Sequence, residues 1–302
     1  MNEITLLSIE QIFGDEQLDI FRKYGTEAAI TDFAILLGGY VSGYSHASSG
    51  NDLEDRTGYY WTKSSYGDGD VRAVDNDGSR DYSTPYGRSA AARPVSLYSD
   101  INLISTNVVS GSSSISEIEY GEYPQKVVNK ELNDSLEKDY SNHGLKTTGK
   151  VYTTDSRIWN GNTEDFIPKE HFEHAYEGKR YIRVKANFYA DKQTLSDGSI
   201  VENGDYVWVE VEPILWLVDE KIGVMVSKKL LFSGVCFDGK DNYDEDFEST
   251  EMKMFIDNYF SKEIEMTNIK AIEDCTTEEE LDDYISLKLA EARKRLTLLG
   301  KE

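Results

Sequence analysis

Apolar positions recur with a helical period at the start of the chain and with β-type density in its second half, and a polar, irregular stretch separates the two. Ser8 stands as an N-cap ahead of Ile9, Ile12 and Phe13, and Leu18, Ile20 and Phe21 follow at roughly helical spacing. Gly14 interrupts the run, so two short helices or one broken helix are expected. Thr26 is placed to cap a second helix through Ala28, Ala29, Ile30, Phe33, Ala34 and Leu37, with Gly38 and Gly39 as its stop. From Tyr40 to Pro94 glycine, serine, aspartate and tyrosine dominate. Fragments such as Tyr59-Tyr60-Trp61-Thr62 and Asp70 to Val74 predict long ordered loops between short strands, with Trp61 in the core.

Ser110 to Ser116 has the composition of a flexible connection between folded pieces. Beyond it, Ile118 to Tyr123, Tyr181 to Tyr189, Tyr206 to Val218 and Ile222 to Leu231 carry the β-branched and aromatic density of strands, with Lys221 at a hairpin turn. Met254, Phe255, Ile256, Tyr259 and Phe260 place a helix over Glu251 to Ile264. Thr277 and Glu280 form a capping box before Leu281, Ile285, Leu289 and Leu296, which predicts a C-terminal amphipathic helix over 273–302. Its basic residues, Lys288, Arg293, Lys294 and Arg295, fall late and match the helix dipole. The expected class is α+β and loop-rich, with short antiparallel strands and a few helices.

Charge narrows the possible partners. Fifty-six acidic residues against 32 basic ones give a formal charge of -24, which disfavours direct binding to nucleic acid or to an anionic membrane. Val207 to Val218, the longest apolar run, is broken by Glu210, Glu212 and Pro213 and is too short for a membrane span. The first residues lack the basic and apolar regions of a secretory signal, so export by the general route is not expected. Cys236 and Cys275 form neither a disulfide framework nor a zinc pattern and are expected to be two reduced thiols.

Candidate chemistry is sparse. His46 and His143 lie beside glycines or serines, while His171 and His174 stand at i and i+3, a spacing that fits one helical face and a metal, or two surface residues. No second ligand pair accompanies them. Asp68-Gly69-Asp70 and Asp75-Asn76-Asp77-Gly78 invite a calcium ion, but Ala73 and Thr84 stand where an EF-hand needs its first and last carboxylates, and turn chemistry accounts for the same residues. No cofactor is expected, with calcium as the alternative. The acids from Asp238 to Glu251 read as a solvated loop. A stronger feature is the interleaving of Tyr59, Tyr66, Tyr82 and Tyr86 with Arg72, Arg80, Asp75, Asp77, serine and glycine. That is the composition of a recognition surface, and equally of aromatic filling in an irregular fold.

Tyr59 to Ser64, Val71 to Val74, Asp77-Gly78 and Gly87 to Val95 resemble one end of the C-type-lectin-like domains of unknown function found in Firmicutes and their phages, distantly akin in fold to formylglycine-generating enzymes. Glu119 to Gln125, Ile214 to Val218, Val226 to Leu230 and Met254 to Phe260 resemble the other end, which comes first in that family. The resemblance implies a circularly permuted lectin-like domain over residues 1–272, with pieces 1–109 and 117–272 joined through 110–116. Thr62-Lys63 departs from the family's usual pair after the aromatics, and Lys126 to Lys179 matches none of its pattern. The resemblance implies non-enzymatic recognition of a protein or glycan through the tyrosine-rich loops, on a virion or against a host partner, with a phage virion or a host cytoplasm as the expected location. Two alternatives remain open: an acidic inhibitor that imitates nucleic acid, and an oxidase of the formylglycine-generating type, although neither cysteine matches that family's reactive positions.

Overall fold

The computed structural model describes residues 4–41, 56–67, 69–97, 107–112, 115–157, 166–188, 190–239, 243 and 246–264. The chain opens with β1 (Ile4–Thr5), α1 (Ile9–Phe13), α2 (Asp19–Tyr24), β2 (Ala29–Ile30) and α3 (Asp32–Leu36). Strands β3 (Tyr60–Tyr66), β4 (Asp70–Val74), β5 (Arg80–Ser83) and β6 (Val95–Leu97) follow, then β7 (Asn107–Ser112), β8 (Ile115–Val127) and α4 (Lys130–His143). Next come β9 (Lys146–Asp155), β10 (Pro168–Tyr176), β11 (Lys179–Lys185), β12 (Lys192–Thr194) and β13 (Ile200–Glu202). The described chain ends with β14 (Tyr206–Asp219), β15 (Val224–Ser227), β16 (Lys229–Leu230) and α5 (Glu251–Phe255), which runs through a π-helical turn, Ile256–Phe260, to residue 264. The class is α+β, rich in antiparallel strands.

β14 is the axis of the molecule. Along one edge it pairs with β8; along the other it pairs first with β11 and then with β15. From β11 the sheet continues to β10 and β9, and from β15 it continues to β6 and β1. At its two ends β14 buries consecutive residues, Val207 to Val209 and Trp216 to Asp219, so both faces are covered there, while Glu210, Glu212 and Pro213 mark its more open middle. Trp208 enters a small core with Leu136, Val128 and Tyr181 beneath α4, whereas Val209, Val211, Ile214 and Trp216 enter the main core. Pro213 sits within this central strand because the register with β8 shifts between Pro213 and Leu215, a bulge that relieves the ladder of one amide.

The main core is one cluster that draws on both sides of the Ser-rich stretch, from Ile4 and Leu6 to Phe260 and Ile264. Its bridge is explicit: β6 and β1, from the N-terminal piece, are added to the sheet by β15, from the C-terminal one. Asp32 ties the same pieces together. Its carboxylate is 3% exposed and accepts from the amides of Val127 (3.0 Å) and Ser196 (2.8 Å) and from the Ser196 hydroxyl (2.5 Å).

Several expectations change. Ser8 does cap α1, in a capping box with Gln11, and Gly14 separates α1 from α2. The next helix begins later than expected. Ala29 and Ile30 pair in parallel with Lys229 and Leu230, and Thr31 is the cap, accepting from the Ala34 amide at 3.1 Å. Thr26 instead donates to the Gly78 carbonyl at 2.6 Å. The described residues of the Ser-rich stretch are paired strand residues: Ser110, Gly111 and Ser112 stand opposite Glu117, Ser116 and Ile115. The C-terminal helix expected over 273–302 lies outside the described residues, as does Cys275. No helix among the described residues is long and apolar enough to cross a membrane.

Candidate functional site

Strands β3, β4 and β5 form a separate three-stranded sheet. Val71 and Ala73 of β4 are fully buried, so the alternation of the strand turns Arg72 to the other face, directly opposite Tyr82 of β5. Tyr66, at the end of β3, completes a stack. Its ring lies 4.1 Å from that of Tyr82 at an interplanar angle of 19°, and the Arg72 guanidinium carbon lies 4.1 Å from the Tyr66 ring centre. Tyr82 is about half exposed. The Tyr66 ring is the one hydrogen-bond, ion-pair or ring partner of the Arg72 side chain among the described residues.

The other predicted site residues take different places. Tyr59 is buried, edge-on to Trp61 with ring centres 6.4 Å apart, and its hydroxyl is pushed far above the ordinary tyrosine range by burial and then by Asp81 and Asp75. It belongs to the main core. Arg80 is committed to α1, donating to the Phe13 carbonyl at 3.2 Å with its guanidinium over the Phe13 ring. Tyr86 is exposed, and its carbonyl accepts from the Cys236 thiol at 3.3 Å.

Asp75 and Asp77 build the β4–β5 turn. Asp75 accepts from the Asn76 amide at 2.7 Å and Asp77 from the Ser79 amide at 2.9 Å. Hydrogen bonds from Ser79 hold the Asp77 carboxyl below its usual range. Gly78 has φ +79°, and a Cβ there would stand 2.6 Å from the Thr26 hydroxyl, so the turn is seated against Thr26. Among the described residues no group of three or more metal-ligating side chains converges, and Asp68 lies outside them.

The histidine pair is not on a helix. His171 and His174 belong to strand β10, and the spacing expected to align them separates them. His171 is 5% exposed, bonded to the Thr154 hydroxyl (2.8 Å) and the Arg183 carbonyl (3.1 Å), and burial lowers it to about 4. It is therefore not a surface residue. His174 packs edge-on against Tyr140 and Trp208.

Buried charge escaped sequence reasoning altogether. Arg157 bridges Asp155 and Glu251. Beside it Cys236 receives a hydrogen bond from the Arg88 guanidinium at 3.4 Å, and burial raises its thiol, against the pull of Arg157 and Arg88. A raised thiol is a poor nucleophile. A second group joins Lys150, Tyr152, Glu173 and Glu263. Tyr152 donates to Glu173 at 3.0 Å, and burial drives Lys150 down to about 8. Apart from the neighbours Asp155 and Arg157, each group is assembled from distant segments, with Glu251 and Glu263 supplied by the C-terminal helical path and Arg88 and Cys236 by loops. Family models, curated proteins and solved structures return no match to this chain.

Proposed function

We propose that this chain is a non-enzymatic recognition or structural protein. Its surface for a protein or glycan partner is the Tyr66, Arg72 and Tyr82 stack on the three-stranded sheet. The observation that carries the reading is Arg72: in a chain of charge -24, its guanidinium carbon lies 4.1 Å from the Tyr66 ring centre, and among the described residues that ring is its one side-chain partner. A pre-positioned planar donor beside exposed phenol gives contact area and hydrogen bonding at small entropic cost. The β4–β5 turn with Asp75 and Asp77, and the exposed Tyr86, extend the candidate surface.

The fold proposed for this surface is a circularly permuted C-type-lectin-like domain of phage or prophage origin. The single core and the β1, β6 and β15 pairing that draw the two pieces together support that reading. Binding is measured on glycan, peptide and protein arrays with the wild type and with R72A and Y82A. Binding that falls at least tenfold in both variants, with unchanged stability, is expected; no binding above background, or binding indifferent to both changes, refutes the assignment. The charge of -24 favours a second reading, an inhibitor that occupies a basic nucleic-acid-binding protein. It predicts capture that weakens steeply with salt and is insensitive to R72A.

A further inference from the structure

Tyr123 of β8 carries a polar atom into the main core. Its side chain is fully buried, and its hydroxyl has no hydrogen-bond partner among the described residues. Buried hydroxyls are satisfied by protein or by ordered water in the large majority of cases, and a phenylalanine would fill the same space without an unmade bond. The ring cannot turn towards a new partner. Phe33 (5.6 Å), Tyr152 (5.6 Å) and Phe260 (5.0 Å) each meet it edge-on.

Glu263, at the end of the helical path 251–264, is the charged group that acts on this hydroxyl. Burial, and then Glu263, hold Tyr123 well above the ordinary tyrosine range, so the hydroxyl keeps its proton and has a hydrogen to donate. Glu263 is anchored too. It accepts from the Thr153 amide of β9 at 2.6 Å, and the next residue, Ile264, fills the space above Gly121, where φ is +67° and a Cβ would meet Ile264 Cγ2 at 2.2 Å. Neither side chain is placed to move onto the other, so a bond between them needs an intermediary.

We propose that the Tyr123 hydroxyl is a binding site for one trapped water molecule, which accepts from that hydroxyl and donates to the Glu263 carboxyl group. A carboxylate offers about four lone-pair positions, so the bond from Thr153 leaves Glu263 able to accept again. Lys150 of β9, 3% exposed and acting on Glu263, is a third polar group at hand, and a buried water commonly takes about two to four partners. The surrounding side chains, Tyr152, Phe260, Glu263 and Lys150, are all buried, which favours the smallest polar ligand. Thr153, Glu263, the water and Tyr123 then form one chain of hydrogen bonds, from β9 through the helix end to β8. That chain gives a physical reason for a tyrosine at this core position.

The test is a high-resolution crystal structure of the full chain, with urea unfolding of Y123F as a second arm. Density for a water within about 2.5–3.0 Å of both Tyr123 Oη and a Glu263 carboxyl oxygen is expected. A hydroxyl with no water beside it, or one bonded directly to a protein group, overturns the proposal. Y123F takes one partner from the water and is expected to shift the unfolding equilibrium about fivefold towards the unfolded state. A hydroxyl that bonds to nothing predicts the opposite sign, so an unchanged or raised urea midpoint in Y123F also overturns it. If Y123F does not fold, the wild-type density decides alone.

Discussion

Replacing Asp32 tests how the two pieces of chain are held together. D32A leaves three donors without an acceptor: the amides of Val127 and Ser196 and the Ser196 hydroxyl. An abandoned buried donor costs roughly 1–3 kcal/mol. Val127 is buried and bears the full cost, whereas Ser196 is half-buried and recovers part of its hydrogen bonding from water. Arg56, which feels the Asp32 charge, loses that support as well. The sum is about 3–5 kcal/mol for D32A. For D32N it is about 2 kcal/mol, because one oxygen still accepts while the new amide meets a donor. Urea unfolding of wild type, D32A, D32N and S196A measures this, with midpoints shifting at constant slope. D32A and S196A should be less than additive by at least about 1 kcal/mol. A D32A loss below about 1 kcal/mol, or full additivity, refutes the account of Asp32 as the joint between α3, β8 and the β12–β13 turn.

Gly121→Ala should destabilise by about 2 kcal/mol or more, since it combines left-handed backbone with a collision against Ile264; an unchanged melting temperature counts against the described seat of the helix end. His171 is neutral in the folded chain, with a depressed value near 4, so stability is lost as pH falls from about 6.5 towards 4, by about 3 kcal/mol in total. H171F or H171L should flatten that acid limb in a pH series of melts. R72A should change stability by less than about 1 kcal/mol, because a half-exposed cation–π contact contributes no more; a large loss would mark Arg72 as a structural residue and weaken the recognition reading. Native Cys236 should react slowly with a thiol reagent at pH 7 and quickly in denaturant, and equal rates would contradict its burial.

Local chemistry was readable where it acts locally. Ser8 and its capping box, the glycine break after Phe13, the turn at Lys221 and the aromatic helix from Glu251 follow from neighbours three or four positions away. Tyr66, Arg72 and Tyr82 were legible as residue types, and register alone brought them into one stack while sending Tyr59 into the core. The failures have a common cause. Ala29 and Ile30 suit a helix by sequence but form a strand because Lys229 and Leu230, two hundred positions on, offer a ladder. The Ser-rich segment pairs because the long β8 supplies a partner, and the histidine spacing meant for a helix face was cancelled by the strand period. Asp32, Lys150 and Glu263 are ordinary polar residues in their neighbourhoods, and only tertiary placement makes them central.

The position of β14 sets a schedule for synthesis. The N-terminal strands β1 and β6 join the large sheet only through β15, which begins 127 residues after β6 ends (224 minus 97). At typical elongation rates that interval is on the order of 10 s. Throughout it, Ile4, Val95 and the apolar helices between them lie on the nascent chain before their sheet partner has been made. Ribosome-associated chaperones that shield exposed apolar segments would find their substrate in the first hundred residues, and truncation ahead of residue 224 would leave that third of the chain prone to aggregate.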